Sequence, residues 1–451
     1  MNRQFFGTDG VRGVANEEPI TAETVLKLGK ALAKIVSETS SANTQRILIG
    51  KDTRLSGSML EMALAAGICS MGMDTILVGD IPTPAVAFLT TDMMCDAGAV
   101  ISASHNPFED NGIKFFNNRG LKLDDPQESA IEKLLVSDEI KPNTDISHRL
   151  GKVHRLQDAL GRYLVFLKSS LPKGSDLRGL KIVVDCANGA AFSAAPAVLG
   201  ELGAEVVSIS TEPDGKNINF DCGSLYPERM TRELLKHKAN IGVALDGDGD
   251  RAIFADERGN VVDGDQIMGM VAADMSERGS LKGNTLVATV MSNIGLEIAM
   301  KERGIKLVRT PVGDRYVVER MLKEGYNFGG EQSGHLVFFD HSTTGDGILS
   351  ALQVASIMKR SSKSLSQLTA WIKKYPQILK NLQVTSRVNF EEIPAVREVM
   401  NKCRQRLGDS GRILVRYSGT QSLCRVMVEG KDQELVRQVV EEVSEALVRN
   451  I

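Results

Sequence analysis

Three times along this chain a short apolar run breaks into a polar turn, a helical stretch follows, and a glycine opens a second apolar run. Arg46–Gly50 (RILIG), Lys181–Asp185 (KIVVD) and Thr285–Ala288 (TLVA) are the first runs, and KDTR, CANG and TVMSN are their turns. Gly72, Gly203 and Gly304 precede the second runs MDTILVG, AEVVSIS and IKLVRT. A third run then ends in a conspicuous loop: ISASHN at 101–106, LDGDGD at 245–250 and FGGEQSGH at 328–335. Strands alternating with helices specify sheets of the α/β kind. The repeat therefore predicts three tandem similar α/β domains with mixed or parallel sheets. Ligands of such sheets bind beyond the carboxyl ends of the strands, where these three loops lie.

A length of 451 residues agrees with several domains. Boundaries are expected near 150, 255 and 370, giving domains 1–150, 151–255, 256–370 and 371–451, with polar KPNTDISHRLG and KRSSKSLSQ as weak linkers. Thr21 is placed to cap a first helix whose apolar stripe is Val25, Leu28, Leu32 and Ile35. The last stretch breaks the repeat. Ile413–Arg416 and Cys424–Glu429 read as strands flanking RYSGTQSL, and a closing helix from about Asp432 carries Val436, Val440, Val443 and Leu447 at helical spacing. This is a smaller C-terminal α+β domain.

A net charge of −3 exerts no global pull on nucleic acid. No apolar run approaches the ~20 residues of a membrane span, and MNRQFFGTDG is not a secretory leader. A cytoplasmic protein is the expectation. Six cysteines without a CxxC pair argue against a zinc site or disulfide framework.

The loop Asp246–Arg251 (DGDGDR) carries the strongest local signal. Three carboxylates at alternate positions, with glycines between them, can converge on one hard cation such as Mg²⁺. A calcium loop competes, since the aspartates fit positions 1, 3 and 5 of an EF-hand and Glu257 falls at position 12. Arg251 stands where that loop needs glycine, however, and the flanks IGVAL and AIFAD read as strands. In Ala99–Phe116 (AVISASHNPFEDNGIKFF), a buried strand stops at Ser102 and Ser104, and Pro107 biases Asn106 away from helical angles. Alone, SASH is a turn. Lys114 ten residues on could stabilise an anionic transition state or handle a proton, and His105 is either a general acid/base or a loop hydrogen bonder. Glu331, Ser333 and His335 in EQSGH offer a carboxylate, a hydroxyl and an imidazole suited to sugar hydroxyls, or form a plain tight turn. Arg416–Thr420 (RYSGT) with Arg425 is either a phosphate cradle or an ordinary hairpin. Arg12, Lys51 and Arg54 add cations suited to an anion, and either arginine could equally serve a structural ion pair.

With FGTDGVRG at 6–13, GKDTR at 50–54, ISASHNP at 101–107, LDGDGDR at 245–251, GGEQSGH at 329–335 and RYSGT at 416–420 in this order, the chain resembles the α-D-phosphohexomutases over essentially its whole length. The resemblance implies three similar α/β domains and a fourth, arranged around a central cleft. It also implies that Ser104 is a phosphoserine and that its phosphate, with Asp246, Asp248 and Asp250, holds one Mg²⁺. By the same resemblance, Arg12, His105, Lys114 and Arg251 surround the reacting phosphate, and Glu331 and Ser333 read the sugar. Arg416, Ser418, Gly419, Thr420 and Arg425 hold the other phosphate. The implied partner is a phosphosugar, with a hexose or hexosamine 1,6-bisphosphate as activator; a homodimer is a compatible assembly. TPVGDRYVVE at 310–319, GGEQSGH and TTGDG at 343–347 are similar to the branch acting on hexosamine phosphates. One departure stands out: the family's last loop usually continues Glu-Pro after Ser-Gly-Thr, whereas this chain has Gln421 and Ser422. The arginines, hydroxyls and glycine remain, so phosphate binding is expected to persist. The expected reaction is a phosphoryl shift on a hexosamine phosphate. Alternatives are a phosphomannomutase or phosphoglucomutase, a metal-dependent phosphatase, or a sugar-phosphate sensor built on the same fold.

Overall fold

The structure, a computed structural model, describes residues 5–7, 9–39, 44–137, 140, 150–384, 388–417 and 423–450. Most of the first expected linker, 141–149, lies outside the described residues, as do Ser418, Gly419, Thr420, Gln421 and Ser422. The chain forms two compact bodies: Met1–Val290 with Val308–Thr369, and Met291–Leu307 with Ala370–Ile451.

The threefold sequence repeat is a threefold structural repeat. The first sheet has the strand order Val11–Val14, Asp110–Asn117, Ala97–Ile101, Arg46–Lys51, Asp74–Asp80, Val153–Arg155. The second runs Val261–Val262, Ala252–Ala255, Ile241–Leu245, Lys181–Asp185, Glu205–Ile209. The third runs Lys306–Thr310, Thr285–Thr289, Phe328–Gly330, Leu336–Phe338. In each, the strand of the first apolar run is flanked by the second run on one side and the third on the other. The third-run strand lies parallel to the first, and the chain then returns antiparallel beside it. Each chemically loaded loop is therefore the tip between a third-run strand and its return. Such a tip follows a strand buried along its whole length, as Ala97–Ile101 and Ile241–Leu245 are, so its backbone is anchored at the root.

The C-terminal sheet is antiparallel, in the order Gln377–Gln383, Leu423–Glu429, Arg412–Tyr417. Helices Pro394–Leu407 and Gln433–Asn450 pack on it, with Val436, Val440, Val443 and Leu447 in its core. Gln377–Gln383 (QILKNLQ) escaped the sequence reading for a physical reason: it is an edge strand with only Leu382 buried, so it shows no apolar alternation. All six cysteines are free, five of them buried. Among the described residues, no helix is long and apolar enough to cross a membrane.

The first helix, Ala22–Thr39, begins as expected, with Thr21 Oγ1 accepting the Thr24 amide at 3.2 Å. Val25, Leu28 and Leu32 are fully buried and Ile35 packs on the same core. This helix crosses Gly57–Ser70 at two glycines. A Cβ on Gly67 would stand 2.2 Å from the Leu26 carbonyl oxygen, and one on Gly29 2.4 Å from that of Leu64. Backbone meets backbone there. Alanine is the better helix former by about 1 kcal/mol, yet overpacking a fitted contact typically costs about 1–3 kcal/mol. Gly67→Ala is therefore expected to lower the thermal midpoint; a raised midpoint would contradict this crossing.

Candidate active site

Strand Ala97–Ile101 ends in a turn that places two serines on different partners. Ser102 Oγ donates to Asp52 Oδ2 at 2.5 Å and accepts the Ser104 amide at 2.9 Å, so it is spent inside the first domain. Ser104 adopts a left-handed backbone with φ of 52°, a region that non-glycine residues occupy mainly where the surroundings enforce it. Its Oγ donates to Asp246 Oδ2 at 2.6 Å and lies 3.3 Å from His105 Nδ1. Arg251 Nη1 is 3.1 Å from the same nitrogen. An arginine only donates, so His105 Nδ1 is an acceptor. Burial and the guanidiniums of Arg251 and Arg12 push His105 down to about 4. Its imidazole is neutral.

The aspartate loop is the tip of an antiparallel pair, Ile241–Leu245 with Ala252–Ala255, and not the helix-flanked loop of a calcium hand. Asp246, Asp248 and Asp250 are all buried, and they offer carboxylate oxygens within 4.8 Å of one another. Three buried carboxylates repel one another. Burial and the neighbouring Asp250 and Asp248 raise Asp246 well above the usual carboxylate range. For Asp250 burial acts in the same sense, but Lys114, His335 and Arg251 outweigh it and hold the group low. Lys114, only 2% exposed, lies 3.0 Å from Asp248, 3.0 Å from Asp9 and 3.6 Å from Asp250. Burial opposes its charge, and these carboxylates reverse that, keeping Lys114 a cation. Arg12 pairs with Asp9. Even so, Asp248 Oδ1 and Asp250 Oδ1 are buried without a hydrogen-bond partner among the described residues. Orphaned oxygens on an all-oxygen donor set fit a hard divalent cation.

The third loop closes on itself, Glu331 N–H donating to the His335 carbonyl at 2.9 Å. Glu331 Oε1 accepts the Gly313 amide at 3.2 Å, and burial raises its carboxyl. Ser333 is exposed. His335 Nε2 accepts the Gly345 amide at 3.0 Å, which leaves Nδ1 facing Asp250 at 3.6 Å. The segment 343–347 thus backs both loops, because the Gly347 amide donates to the Gly249 carbonyl at 2.9 Å. The serine, aspartate and EQSGH loops converge in one body.

In the other body, Arg416 and Arg425 stand opposite each other in register on neighbouring strands. Like charges so placed repel; burial and Arg425 push Arg416 below its ordinary value. Arg425 Nε is buried without a hydrogen-bond partner among the described residues. This pair suits an anion. The rest of that candidate cradle, Ser418, Gly419 and Thr420, lies outside the described residues.

Sequence reasoning missed several groups. Asp9 lies in the GTDGVRG stretch, where a lone acidic residue carries no pattern of its own. Lys122, which pairs with both Asp9 and Asp314 at 2.5 Å, has no motif around it. Thr83 Oγ1 donates to Asp248 Oδ2 at 2.7 Å, and no local pattern marks it. Of the GKDTR cations, Lys51 pairs with Asp80, and Arg54 is buried against Asp52.

Four domain models of the phosphoglucomutase/phosphomannomutase family match in succession: α/β/α domain I over residues 3–140, domain II over 162–259, domain III over 263–375 and the C-terminal domain over 379–446. The chain belongs to this family. Among its relatives, a phosphoglucosamine mutase from a Geobacter species is 57% identical over 96% of this chain and 95% of its own length. That of Syntrophotalea carbinolica is 53% identical over 100% and 98%. The fold is shared with a phosphoglucomutase/phosphomannomutase family protein of Burkholderia thailandensis, at a TM-score of 0.81 and 23% identity over 98% of this chain and 97% of that one. It is also shared with Aspergillus fumigatus N-acetylphosphoglucosamine mutase in complex with GlcNAc-6P and magnesium, at 0.69 and 17% over 98% and 96%.

The donor set predicts one divalent cation per chain, measurable with Mn²⁺ by electron paramagnetic resonance. Asp248→Asn is expected to weaken binding by at least ~100-fold, since even outer supporting groups of metal sites are worth ~10–100-fold. An unchanged affinity would remove Asp248 from the ligand set.

Proposed function

We propose that this chain interconverts glucosamine 6-phosphate and glucosamine 1-phosphate through a phosphoserine at Ser104 and a 1,6-bisphosphate, as a cytoplasmic step that supplies amino-sugar nucleotide synthesis. The family membership and the relatives at 53–57% identity support the reaction. The observation that carries the site is the Ser104 hydroxyl held 2.6 Å from Asp246, on a buried aspartate triad two of whose oxygens lack a hydrogen bond among the described residues.

In the first transfer the C1 hydroxyl of the 6-phosphate attacks phosphorus on Ser104. A new P–O bond forms, the P–Oγ bond breaks, and the hydroxyl proton passes through neutral His105 to the departing Oγ. The bisphosphate then turns over. Ser104 Oγ takes the phosphoryl group from C6, its proton returns to the sugar oxygen, and glucosamine 1-phosphate leaves. Asp246, Asp248, Asp250 and a phosphate oxygen on Ser104 would hold Mg²⁺, which supplies charge neutralisation at the phosphoryl oxygens. Lys114, Arg12 and Arg251 surround the transferring group as fixed cations; such transfer is mainly positioning and charge stabilisation. Glu331 and Ser333 read sugar hydroxyls with His335 fixing their loop. Arg416, Ser418, Gly419, Thr420 and Arg425 hold the phosphate that is not reacting. A hexose or hexosamine 1,6-bisphosphate charges Ser104 at the start.

A coupled assay with Mg²⁺ and catalytic hexose 1,6-bisphosphate, run over glucosamine, glucose and mannose phosphates, tests the reading. The highest kcat/KM is expected with the glucosamine ester, and Ser104→Ala is expected to drop turnover to background. Preference for glucose or mannose would hand the site to the phosphoglucomutase/phosphomannomutase alternative. Stoichiometric release of inorganic phosphate would make it a phosphatase.

A further inference from the structure

The GKDTR turn has no part in the chemistry above, yet it holds the most heavily committed side chain near the serine. Arg54 is 2% exposed, and its donors all go to this chain. Nε donates to Asp52 Oδ2 at 2.9 Å; Nη2 donates to the carbonyls of Ser104 and Asn106 at 2.9 Å each. Nη1 donates to the carbonyls of Asp110, at 3.0 Å, and Pro107. A guanidinium has five N–H donors and no more, so Arg54 keeps nothing for a phosphate. The Asp52 oxygen that receives Nε also receives Ser102 Oγ, and Ser102 Oγ in turn accepts the Ser104 amide. From the second domain, Asn219 Nδ2 donates to the carbonyls of Ser104 and Asn106, at 2.9 Å each, the same pair that Nη2 holds. Both peptide groups of Ser104 are thereby fixed.

We propose that Arg54 and Asn219 are positioning residues for phosphoryl transfer. With Asp52 and Ser102 they hold Ser104 in its left-handed turn, so that Oγ and the phosphate it carries point at the aspartate loop. The proposal rests on Ser104 being the phosphoryl carrier. Asn219 also makes the alignment depend on two domains at once, because its side chain enters the serine loop from the segment before the aspartate strand. Lysine cannot replace Arg54 here: its three donors radiate from one atom and do not span four carbonyls and a carboxylate.

Two variants of the full chain test this. Arg54→Lys keeps a cation for Asp52 and loses the fork. Asn219→Gly removes the amide while allowing the native φ of 58°. Both are measured for kcat, KM and thermal midpoint at saturating Mg²⁺ and bisphosphate, beside Ser104→Ala. A displacement of about 1 Å at reacting atoms costs on the order of 100-fold. The expected kcat loss is roughly 30–100-fold for Arg54→Lys and about tenfold for Asn219→Gly, with KM within about threefold. The double variant should fall short of the product of the two losses, because both groups act on the same two carbonyls. If Arg54→Lys does not fold, the Asn219→Gly measurement decides. Unchanged kcat in a folded variant, or a loss confined to KM, overturns the proposal and leaves the Ser104 reading intact. Turnover by Ser104→Ala overturns both.

Discussion

Asp246, Asp248 and Asp250 are buried within a few ångströms of one another, and most of the surrounding structure answers that repulsion. Burial raises the cost of each charge, and each neighbour adds to it. Lys114 is drawn into the cluster and kept cationic; burial, with Arg251 alongside, holds His105 neutral. Two carboxylate oxygens, Asp248 Oδ1 and Asp250 Oδ1, still lack a hydrogen bond among the described residues. The protein has gathered carboxylate oxygens that a divalent cation would bridge, and it has placed the Ser104 hydroxyl on the edge of them. A neutral serine gains little there. A phosphoserine sharing the cation gains much.

The same fold pattern, used three times, makes that concentration of charge feasible. In each α/β unit the third-run strand emerges from beside a central parallel strand and turns back on itself, so its tip is short and anchored at both ends. Three tips can then carry different chemistry on one backbone plan: a hydroxyl, a carboxylate triad, and a carboxylate with an imidazole. Glycines let the tips touch. A Cβ on Gly247 would meet the Ser104 carbonyl oxygen at 2.5 Å, and one on Gly345 would enter the His335 ring.

Much of this was legible in the sequence because the signals are local. Apolar runs ending in DGDGDR, SASHNP and EQSGH identify strand-end loops, and the Val436–Leu447 spacing identifies the closing helix. The residues that the sequence hid act over long separations. Arg54 reaches carbonyls some fifty positions away, and Asn219 reaches them from more than a hundred. Asp9, Lys122 and Asp314 form a chain of ion pairs whose members lie in separate segments with nothing in common. Nor could spacing choose between Ser102 and Ser104. That choice depends on which hydroxyl turns inward to Asp52, a contact across some fifty positions that the local sequence does not record.

Ser104, and not its neighbour Ser102, is the residue proposed to carry the phosphoryl group. Peptide mapping by mass spectrometry, after incubation of the protein with a hexose 1,6-bisphosphate and Mg²⁺, addresses it directly. One added phosphate per chain is expected, on Ser104. Phosphate on Ser102, or a chain that never acquires one while it turns over substrate, would contradict it.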